Sequence, residues 1–306
     1  MDKVAIVGVG NLGSCIAYEV ANRGIVDELV LIDLYKELAE GHAEDIAQAI
    51  AFRNDTDVFA GDYSEIRGAK IIVVAAGKPR TPDMKSRMEL LESNRRIIES
   101  VASEIKSHLS GKRPIIITLT NPVDVMNYLM QKATNIDRMR VIGSAGMLDS
   151  SRFRTILKQR FNVQVTDIET YVIGEHGEHQ VPLFSHVKIK GEKKTFDLKE
   201  QEEILREIKS SASRIISKKG ATIFAPANNT VNMIEMILKN EKKICICSVL
   251  LCGEYGLRDV SIGVPVILGP SGVEKILEYD LSEVEKQRFI EGANYIKAAI
   301  NDVLKK

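Results

Sequence analysis

The most constraining feature of the sequence is a glycine-rich stretch, Gly-Val-Gly-Asn-Leu-Gly at residues 8–13, that directly follows an apolar run at residues 4–7. A helical pattern follows and ends near Arg23. In such a strand–loop–helix unit the first glycine permits a tight turn, the second lets the backbone approach a pyrophosphate, and the third lets the helix pack close to the strand. The N–H groups and the dipole at the helix start attract phosphate. The pattern therefore predicts a dinucleotide site with five cofactor-binding residues, Gly8, Gly10, Asn11, Leu12 and Gly13.

A carboxylate at the end of the next predicted strand narrows the choice of dinucleotide. Asp33 lies twenty residues after Gly13, and Leu34 and Tyr35 follow it where an NADP enzyme would favour an arginine. A carboxylate at this place accepts hydrogen bonds from the ribose hydroxyls of the adenosine, and its charge repels a 2′-phosphate. Asp33 is therefore predicted to bind the cofactor, and NAD is predicted over NADP. The alternative is a glycine turn in a fold that binds no nucleotide.

Short apolar runs alternate with amphipathic stretches through the first half of the chain. The candidate strands are residues 4–7, 29–32, 58–60, 71–75, 115–119 and 141–142, and the candidate helices are residues 13–23, 36–51, 88–109 and 123–133. Strands that alternate with helices predict a parallel sheet covered on both faces. Right-handed crossovers then make a doubly wound topology the simplest arrangement.

The second half of the chain lacks this alternation. Its helical patterns are at residues 147–161, 202–219, 227–238 and 282–305, and its strand-like runs are at residues 168–173, 244–251 and 264–268. Ser282 and Glu285 have the spacing of a capping box at the start of the last helix. We therefore predict an α/β protein, with a doubly wound parallel-sheet (Rossmann) domain over residues 1–143 and a mixed α+β domain over residues 144–306.

Composition and charge exclude several classes of protein. The 42 Lys and Arg residues balance the 42 Asp and Glu residues, whereas a nucleic-acid binder needs a basic face to neutralise phosphates. No apolar run reaches the ~18 residues that cross a bilayer. We expect no leader before the strand predicted at residues 4–7, unless one has already been removed, and four cysteines form no disulfide framework. We therefore expect a cytoplasmic protein with neither nucleic acid nor a membrane as a partner.

Two further segments suit the oxidation of a hydroxy acid. Gly-Glu-His-Gly at residues 174–177 follows an apolar strand, and Asp149 and Arg152 are three residues apart, so they share one face of a predicted helix. His176 can take the proton of a hydroxyl group as hydride leaves the carbon, and a carboxylate can orient and stabilise its imidazolium form. An arginine grips a substrate carboxylate through two parallel hydrogen bonds.

With these residues the chain resembles the lactate/malate dehydrogenase superfamily over nearly its whole length, and most of all the archaeal malate dehydrogenases of the lactate-dehydrogenase-like branch. The matching segments are residues 8–13 with Asp33, 76–77, Arg80 and Arg87, 120–124, 148–154, 173–177 and 219–224. Seven segments in the order of the family make a specific match. The resemblance implies a six-stranded parallel sheet, a mixed catalytic domain and a site in the cleft between them.

The resemblance also implies a role for each matching residue. His176 would be the catalytic acid/base and Asp149 its partner. The substrate-binding residues would be Arg80, Arg87, Asn121, Arg152 and Thr222. Among them, Arg152 would hold the carboxylate that all substrates of the family share, and Arg87 would polarise the reacting carbonyl. Arg80 would meet the second carboxylate of malate, where lactate dehydrogenases typically have glutamine. Asn94 and Asn121 would contact the cofactor.

These assignments imply a small-molecule enzyme, an NAD-dependent malate dehydrogenase that interconverts malate and oxaloacetate. One alternative is a dehydrogenase of lactate or another 2-hydroxy acid. The other is a nucleotide-sensing module without turnover, which would not need His176, Asp149 and Arg152 together. The branch commonly forms tetramers built from dimers, so a homotetramer is expected over a dimer. The substrate loop departs from the family, because Arg80 and Arg87 are seven steps apart instead of six and Lys85 is an additional cation.

No metal site is predicted. His176 and His179 are three residues apart with Gly177 between them, whereas zincin helices carry histidines at i and i+4. Cys245 and Cys247 are expected to point to opposite faces of a strand, where they could not share an ion. Cys15, in the helix after the glycine loop, is expected to pack rather than to react.

Overall fold

A computed structural model describes residues 1–79, 81, 84, 87–109, 111 and 113–305, with the backbone alone at Arg87. The first half forms six parallel strands in the spatial order β3-β2-β1-β4-β5-β6. They are β1 (Lys3–Val7), β2 (Glu28–Ile32), β3 (Asp57–Ala60), β4 (Ile71–Val74), β5 (Ile115–Thr118) and β6 (Val141–Ser144). Its helices are α1 (Asn11–Arg23), α2 (Lys36–Ile50), α3 (Leu91–His108) and α4 (Val123–Thr134). The central strands are almost fully buried, as a parallel sheet covered on both faces requires. The predicted doubly wound fold is confirmed.

The second half adds antiparallel strands and four helices to the described part of the chain. The strands are β7 (Ile168–Glu169), β8 (Val172–Gly174), β9 (Gln180–Pro182), β10 (Lys188–Ile189), β11 (Glu192–Lys193), β12 (Ile244–Cys252), β13 (Arg258–Gly269) and β14 (Gly272–Ile276). The helices are α5 (Gly146–Phe161), α6 (Leu198–Lys219), α7 (Phe224–Leu238) and α8 (Glu283–Leu304). Both hydrogen bonds of the capping box predicted at Ser282 and Glu285 are present.

The parallel sheet does not stop where the first half ends. β6 pairs antiparallel with β12, which places Gly143 opposite Ser248, and the sheet continues through β13 to β8 and β9. A Cβ atom on Gly143 would lie 2.8 Å from Cβ of Ser248, so the two strands need glycine here to approach this closely. The main hydrophobic core accordingly runs from Val4 to Val303 through both halves.

The apolar run predicted as one strand at residues 168–173 forms two short strands in different sheets. β7 pairs with β10 in a separate three-stranded sheet, whereas β8 pairs with β9 and β13. A second core cluster lies beside this division, with Phe153 against Phe184 at 5.1 Å between ring centroids. The division lets β8 end near α5, and this geometry positions the candidate site.

The expectation for Cys245 and Cys247 is wrong. Side chains alternate between the faces of a strand with a period of two, so residues two apart share a face. The two Sγ atoms are 3.6 Å apart on β12, both fully buried and both as free thiols. Burial raises the pKa of the Cys247 thiol, with the Cys245 hydrogen bond as the second cause, so that it stays protonated at neutral pH. The pair therefore packs as two small apolar side chains.

Two features are absent from the described residues. No group of three or more His, Cys, Asp or Glu side chains could hold a metal ion. No helix in the same part of the chain is long and apolar enough to cross a membrane.

Candidate active site

The glycine loop between β1 and α1 is built by two close backbone contacts. Gly8 has φ +90°, and a Cβ atom there would lie 2.4 Å from the backbone nitrogen of Ala76 at the end of β4. A Cβ atom on Gly13 would lie 1.9 Å from the carbonyl oxygen of Gly8. α1 follows from Gly10, and no side chain caps its first N–H groups. The loop therefore presents open N–H donors where a phosphate would bind.

Asp33 holds this loop, and both of its carboxylate oxygens accept backbone N–H groups. One carboxylate oxygen accepts the N–H of Val9 at 2.8 Å, and the other accepts the N–H of Tyr35 at 3.0 Å. The carboxylate thus links the end of β2 to the glycine loop, and it remains only half-buried. Its remaining lone pairs can accept hydrogen bonds from ribose hydroxyls.

His176 and Asp149 meet as the sequence predicts. His176 follows the end of β8, and Asp149 lies in the first turn of α5. The Nδ1 atom of His176 is 2.6 Å from Oδ2 of Asp149, and Nη1 of Arg152 donates to Oδ1 of the same carboxylate at 2.8 Å. All three side chains are buried. The three-residue spacing in α5 therefore lets Arg152 pair with the same carboxylate that contacts His176.

A cavity of about 290 Å³ joins the glycine loop to this group. The predicted residues that line it are Gly10, Asn11, Leu12, Gly13, Asn121, Arg152, His176 and Thr222. Gly8, Asp33, Asn94 and Asp149 lie outside its lining. Gly8, Asn94 and Asp149 contact lining residues, whereas Asp33 bonds Val9, next to the lining residue Gly10. Sequence reasoning missed the wall that α6 and α7 provide through Ala212, Ile216, Ile223 and Pro226. Nothing in that apolar pattern distinguishes a cavity wall from an ordinary helix core.

Asn94 is placed differently from the family-based expectation of a direct cofactor contact. Its side chain is fully buried, accepts the N–H of Lys78 at 2.7 Å and donates to the carbonyl oxygens of Lys78 and Asn121 at 3.2 and 2.7 Å. Its amide thus joins the segment after β4 to the segment after β5. Cofactor binding by Asn94 stays a prediction, and the geometry favours an indirect effect through Asn121.

Two polar atoms in the cavity wall lack a hydrogen-bond partner in the described part of the chain. They are Oδ1 of Asn121 and Oγ1 of Thr222, both buried. An unsatisfied buried oxygen is costly unless a ligand or water pairs with it. With the open N–H groups of α1, these atoms fit an elongated polar ligand that extends from the glycine loop toward His176.

The structure describes the side chain of neither arginine predicted in the substrate loop. Arg80 and Lys85 lie outside the described residues. Arg87 begins a short 3₁₀ turn, Arg87–Leu90, whose last residue lines the cavity.

Cys15 lies in α1, the helix that follows the glycine loop. Burial raises the pKa of its thiol, and Glu19 adds to the shift. A protonated thiol is a poor nucleophile, which favours the expected packing role.

Comparison with known proteins assigns this arrangement to a family. The model of the lactate/malate dehydrogenase NAD binding domain matches residues 2–143, and the model of the lactate/malate dehydrogenase alpha/beta C-terminal domain matches residues 146–306. The chain belongs to the lactate/malate dehydrogenase family. The predicted family membership and the predicted cofactor, NAD, are both confirmed.

Relatives in this family carry the names of both substrates. Malate dehydrogenase from Halobacterium salinarum is 40% identical over 306 residues, with 99% of this chain and 100% of the relative covered. L-lactate dehydrogenase from Priestia megaterium is 37% identical over 303 residues, with 96% and 94% covered. The structure of Cryptosporidium parvum lactate dehydrogenase with lactic acid and NAD has a TM-score of 0.93 at 33% identity, with 100% of this chain and 98% of that chain covered. The chain is thus an oxidoreductase of the lactate/malate dehydrogenase type.

Proposed function

We propose that the chain is an NAD-dependent malate dehydrogenase that interconverts malate and oxaloacetate. The observation that carries the chemistry is the buried group of His176, Asp149 and Arg152 at one end of a cavity whose other end is the glycine loop. When bound, NAD accepts the hydride from malate or, in its reduced form, supplies it to oxaloacetate.

His176 moves the proton in this proposal. Its Nδ1 atom is engaged by Asp149 at 2.6 Å, which holds the proton on Nδ1 in the neutral ring and leaves Nε2 as the base. Nε2 then takes the hydroxyl proton of malate, and the carboxylate of Asp149 stabilises the imidazolium that results. In the reverse direction the imidazolium returns the proton to the oxygen of oxaloacetate.

The remaining cavity residues bind and orient the substrate. Arg152 lines the cavity while one of its nitrogens bonds Asp149, so its guanidinium is pre-oriented to hold the carboxylate next to the reacting carbon. The buried oxygens of Asn121 and Thr222 supply further polar contacts. The apolar wall from α6 and α7 lowers the polarity beside these groups, which strengthens each of these interactions.

The choice of malate over lactate rests on Arg80, a sequence-based assignment outside the described residues. A guanidinium there can pair with the second carboxylate of oxaloacetate by two charge-assisted hydrogen bonds. Facing the methyl group of pyruvate, the same charge would be enclosed without a partner, at a cost of ~3–5 kcal/mol. The lactate alternative is favoured by one observation, the similarity to L-lactate dehydrogenases such as that of Priestia megaterium.

A steady-state matrix tests the proposal, with oxaloacetate and pyruvate each assayed with NADH and NADPH. We expect kcat/KM to be about 100-fold or more higher for oxaloacetate than for pyruvate with NADH, the scale of one lost charged pair. Arg80→Gln should weaken oxaloacetate strongly and improve pyruvate. If the wild type reduces both acids equally well, the malate assignment fails. If Arg80→Gln keeps the preference for oxaloacetate, Lys85 becomes the first candidate for its role.

We further propose that the chain divides into a domain of residues 1–143 and one of residues 144–306, and that it acts in the cytoplasm as a homotetramer. The assembly rests on the resemblance to a tetramer-forming branch, and the location rests on four cysteines that are all free thiols. Light scattering after size exclusion tests the assembly, since the mass should be four times the 34.0 kDa of one subunit. A monomeric mass would reject it.

A further inference from the structure

A buried carboxylate outside the predicted site makes contact with the candidate catalytic histidine. Asp124 lies in the first turn of α4 and is 4% exposed. Its Oδ2 atom accepts the backbone N–H of His176 at 2.8 Å, and its Oδ1 atom accepts the hydroxyl of Ser248 at 2.6 Å. An acidic residue in a first turn ordinarily stabilises its own helix, but both of these bonds go to residues outside α4.

Asp124 lies close in sequence to Asn121 and bonds residues from two other segments of the fold. Asn121 lies three residues before Asp124 and contributes an unsatisfied buried oxygen to the cavity wall. Ser248 belongs to β12, where its carbonyl oxygen accepts the side-chain N–H of Asn127 at 3.1 Å. His176 follows β8 in a tight turn that is also closed by the N–H of His179 on the Glu175 carboxylate, at 2.8 Å. Asp124 therefore joins the helix behind Asn121 to the turn that carries His176.

We propose that Asp124 is a positioning residue that fixes the spacing between His176 and Asn121. Asp149 contacts the ring of His176 and Asp124 accepts its backbone N–H, so the two carboxylates hold the residue at two points. A shift of about 1 Å in a catalytic group can cost ~100-fold in rate. The inference rests on the proposed use of His176 as the acid/base, and it is independent of which 2-hydroxy acid is the substrate.

Substitutions at Asp124 separate its geometry from its charge. Asn has nearly the same shape, and its oxygen can accept the N–H of His176 while its NH₂ group donates to the oxygen of Ser248. Ala removes both bonds, and Glu keeps the charge but adds a methylene that displaces the turn. Positioning therefore predicts that Asp124→Asn retains clearly more activity than Asp124→Ala and Asp124→Glu.

Glu285 supplies a matched control. It is another 4% exposed carboxylate that accepts a backbone N–H and a serine hydroxyl from Ser185, at 3.0 and 2.6 Å, and it also accepts the N–H of Ser282 in the capping box of α8. It does not line the cavity. Glu285→Ala thus removes a buried carboxylate of the same kind without touching His176.

The experiment assays each variant with NADH and whichever of oxaloacetate or pyruvate the wild type reduces faster, per NADH-binding site. For Asp124→Ala we expect kcat to fall by about 30- to 100-fold, with the Kd of NADH and the KM of the acid within about twofold. Asp124→Asn should recover kcat to within about tenfold, and Glu285→Ala should keep the wild-type kcat. The proposal is overturned if Asp124→Ala keeps kcat, or if it loses kcat and NADH affinity in parallel.

Two further measurements cover the remaining outcomes. If Asp124→Ala does not fold, Asp124→Glu is decisive, because a wild-type kcat in that variant would reject positioning. If the wild type reduces neither acid, the proposed function has failed separately, and the rate of diethylpyrocarbonate labelling of His176 then reports the position of its ring. That rate should change at least about threefold in Asp124→Ala, the size of a modest local rearrangement, and remain unchanged in Glu285→Ala. An unchanged rate in both would overturn the inference.

Discussion

At the scale of single residues, the 2.6 Å contact between His176 and Asp149 predicts that the His176 ring is essential for turnover. His176→Asn removes the acid/base without adding bulk, so kcat should fall by at least ~100-fold, the usual contribution of a general acid. The Kd of NADH should stay close to the wild-type value, because the glycine loop is at the other end of the cavity. His42→Asn, in α2, is the control. Unchanged turnover in His176→Asn would reject His176 as the acid/base.

Asp149→Asn tests the electrostatic part of the same contact. A negative charge beside Nδ1 favours the protonated ring, so its removal should lower both kcat and the pKa of His176. The other charged side chains described around this histidine are Arg152 on α5, Asp124 on α4 and the adjacent Glu175. Because reduction of oxaloacetate needs the imidazolium, the alkaline limb of its kcat/KM profile should move to lower pH. A limb that stays in place would show that Asp149 does not set this pKa.

Asp33→Ser tests the basis of cofactor choice. Removal of the charge should raise kcat/KM for NADPH, because the repulsion of the 2′-phosphate is lost. The kcat/KM for NADH should fall, since the two backbone N–H groups of Val9 and Tyr35 lose their carboxylate partner. The ratio of the two efficiencies in wild type and variant is the measurement. A wild type that prefers NADPH would refute the role of Asp33.

Most residues of the site could be predicted because each belongs to a short motif whose chemistry is local. Asp124 was in one of these motifs, but its partner, Ser248, is 124 residues away, and local spacing gives no signal of such a contact. Asn94 was expected on the cofactor, yet all three of its hydrogen bonds go to the backbone. A motif identifies the residue type that the chemistry needs, whereas the direction of the side chain depends on the tertiary fold.

At the scale of elements, Arg23 fastens the cofactor-loop helix α1 to α7. Its guanidinium donates to Glu19 on α1 and to Asn228, Asn232 and Glu235 on α7, at 2.6–3.0 Å. Arg23→Met keeps the aliphatic stem and removes these bonds. We expect the free energy of unfolding to fall by about 1–2 kcal/mol, the value of a charged hydrogen-bond group partly screened by solvent. The urea midpoint measures the change, with the exposed Arg96→Met as the control.

The stability that these hydrogen bonds of Arg23 contribute should depend on pH. Hydrogen bonds from Lys239 and then from Arg23 lower the pKa of Glu235 in the folded protein. A carboxyl group with a lowered folded-state pKa contributes stability above its unfolded pKa and loses it as the pH falls through the folded value. The difference in unfolding free energy between wild type and Arg23→Met should therefore shrink in acid. A difference that is constant from neutral to acid pH would exclude the ionic contribution of Glu235.

Element types were predicted well where the hydrophobic period was long and uninterrupted, as in α3 and α8. The run at residues 168–173 was predicted as one strand, because the hexapeptide Ile-Glu-Thr-Tyr-Val-Ile fits one strand as well as two short ones. Its division depends on separate partners, Lys188 with Glu169 on one side and Val172 with Pro182 on the other. Strand pairing of this kind is a property of the whole sheet and leaves no local pattern.

At the scale of the whole molecule, the sheet and the main core continue from one half into the other. We therefore expect urea to unfold the chain in one cooperative transition, with circular dichroism and tyrosine fluorescence giving the same midpoint. Tyrosine is the natural probe, since the chain has eight tyrosines and no tryptophan. NADH should move both curves together. Separate midpoints for the two probes would show that the halves unfold independently.

The contact of Gly143 with Ser248 also bears on how this chain could exchange parts with its relatives. A crossover near residue 143 would leave the cofactor loop in one parent and the acid/base pair in the other, which is an attractive route to hybrids. The pairing of β6 with β12, however, allows no Cβ atom at Gly143, because one would lie 2.8 Å from Ser248 and 3.1 Å from Val123. A donor for the second half must therefore bring a side chain as small as serine to that register, or the hybrid will lose the shared sheet. Whether a hybrid folds should therefore depend more on the size of the side chain opposite Gly143 than on the overall sequence identity of its two parents.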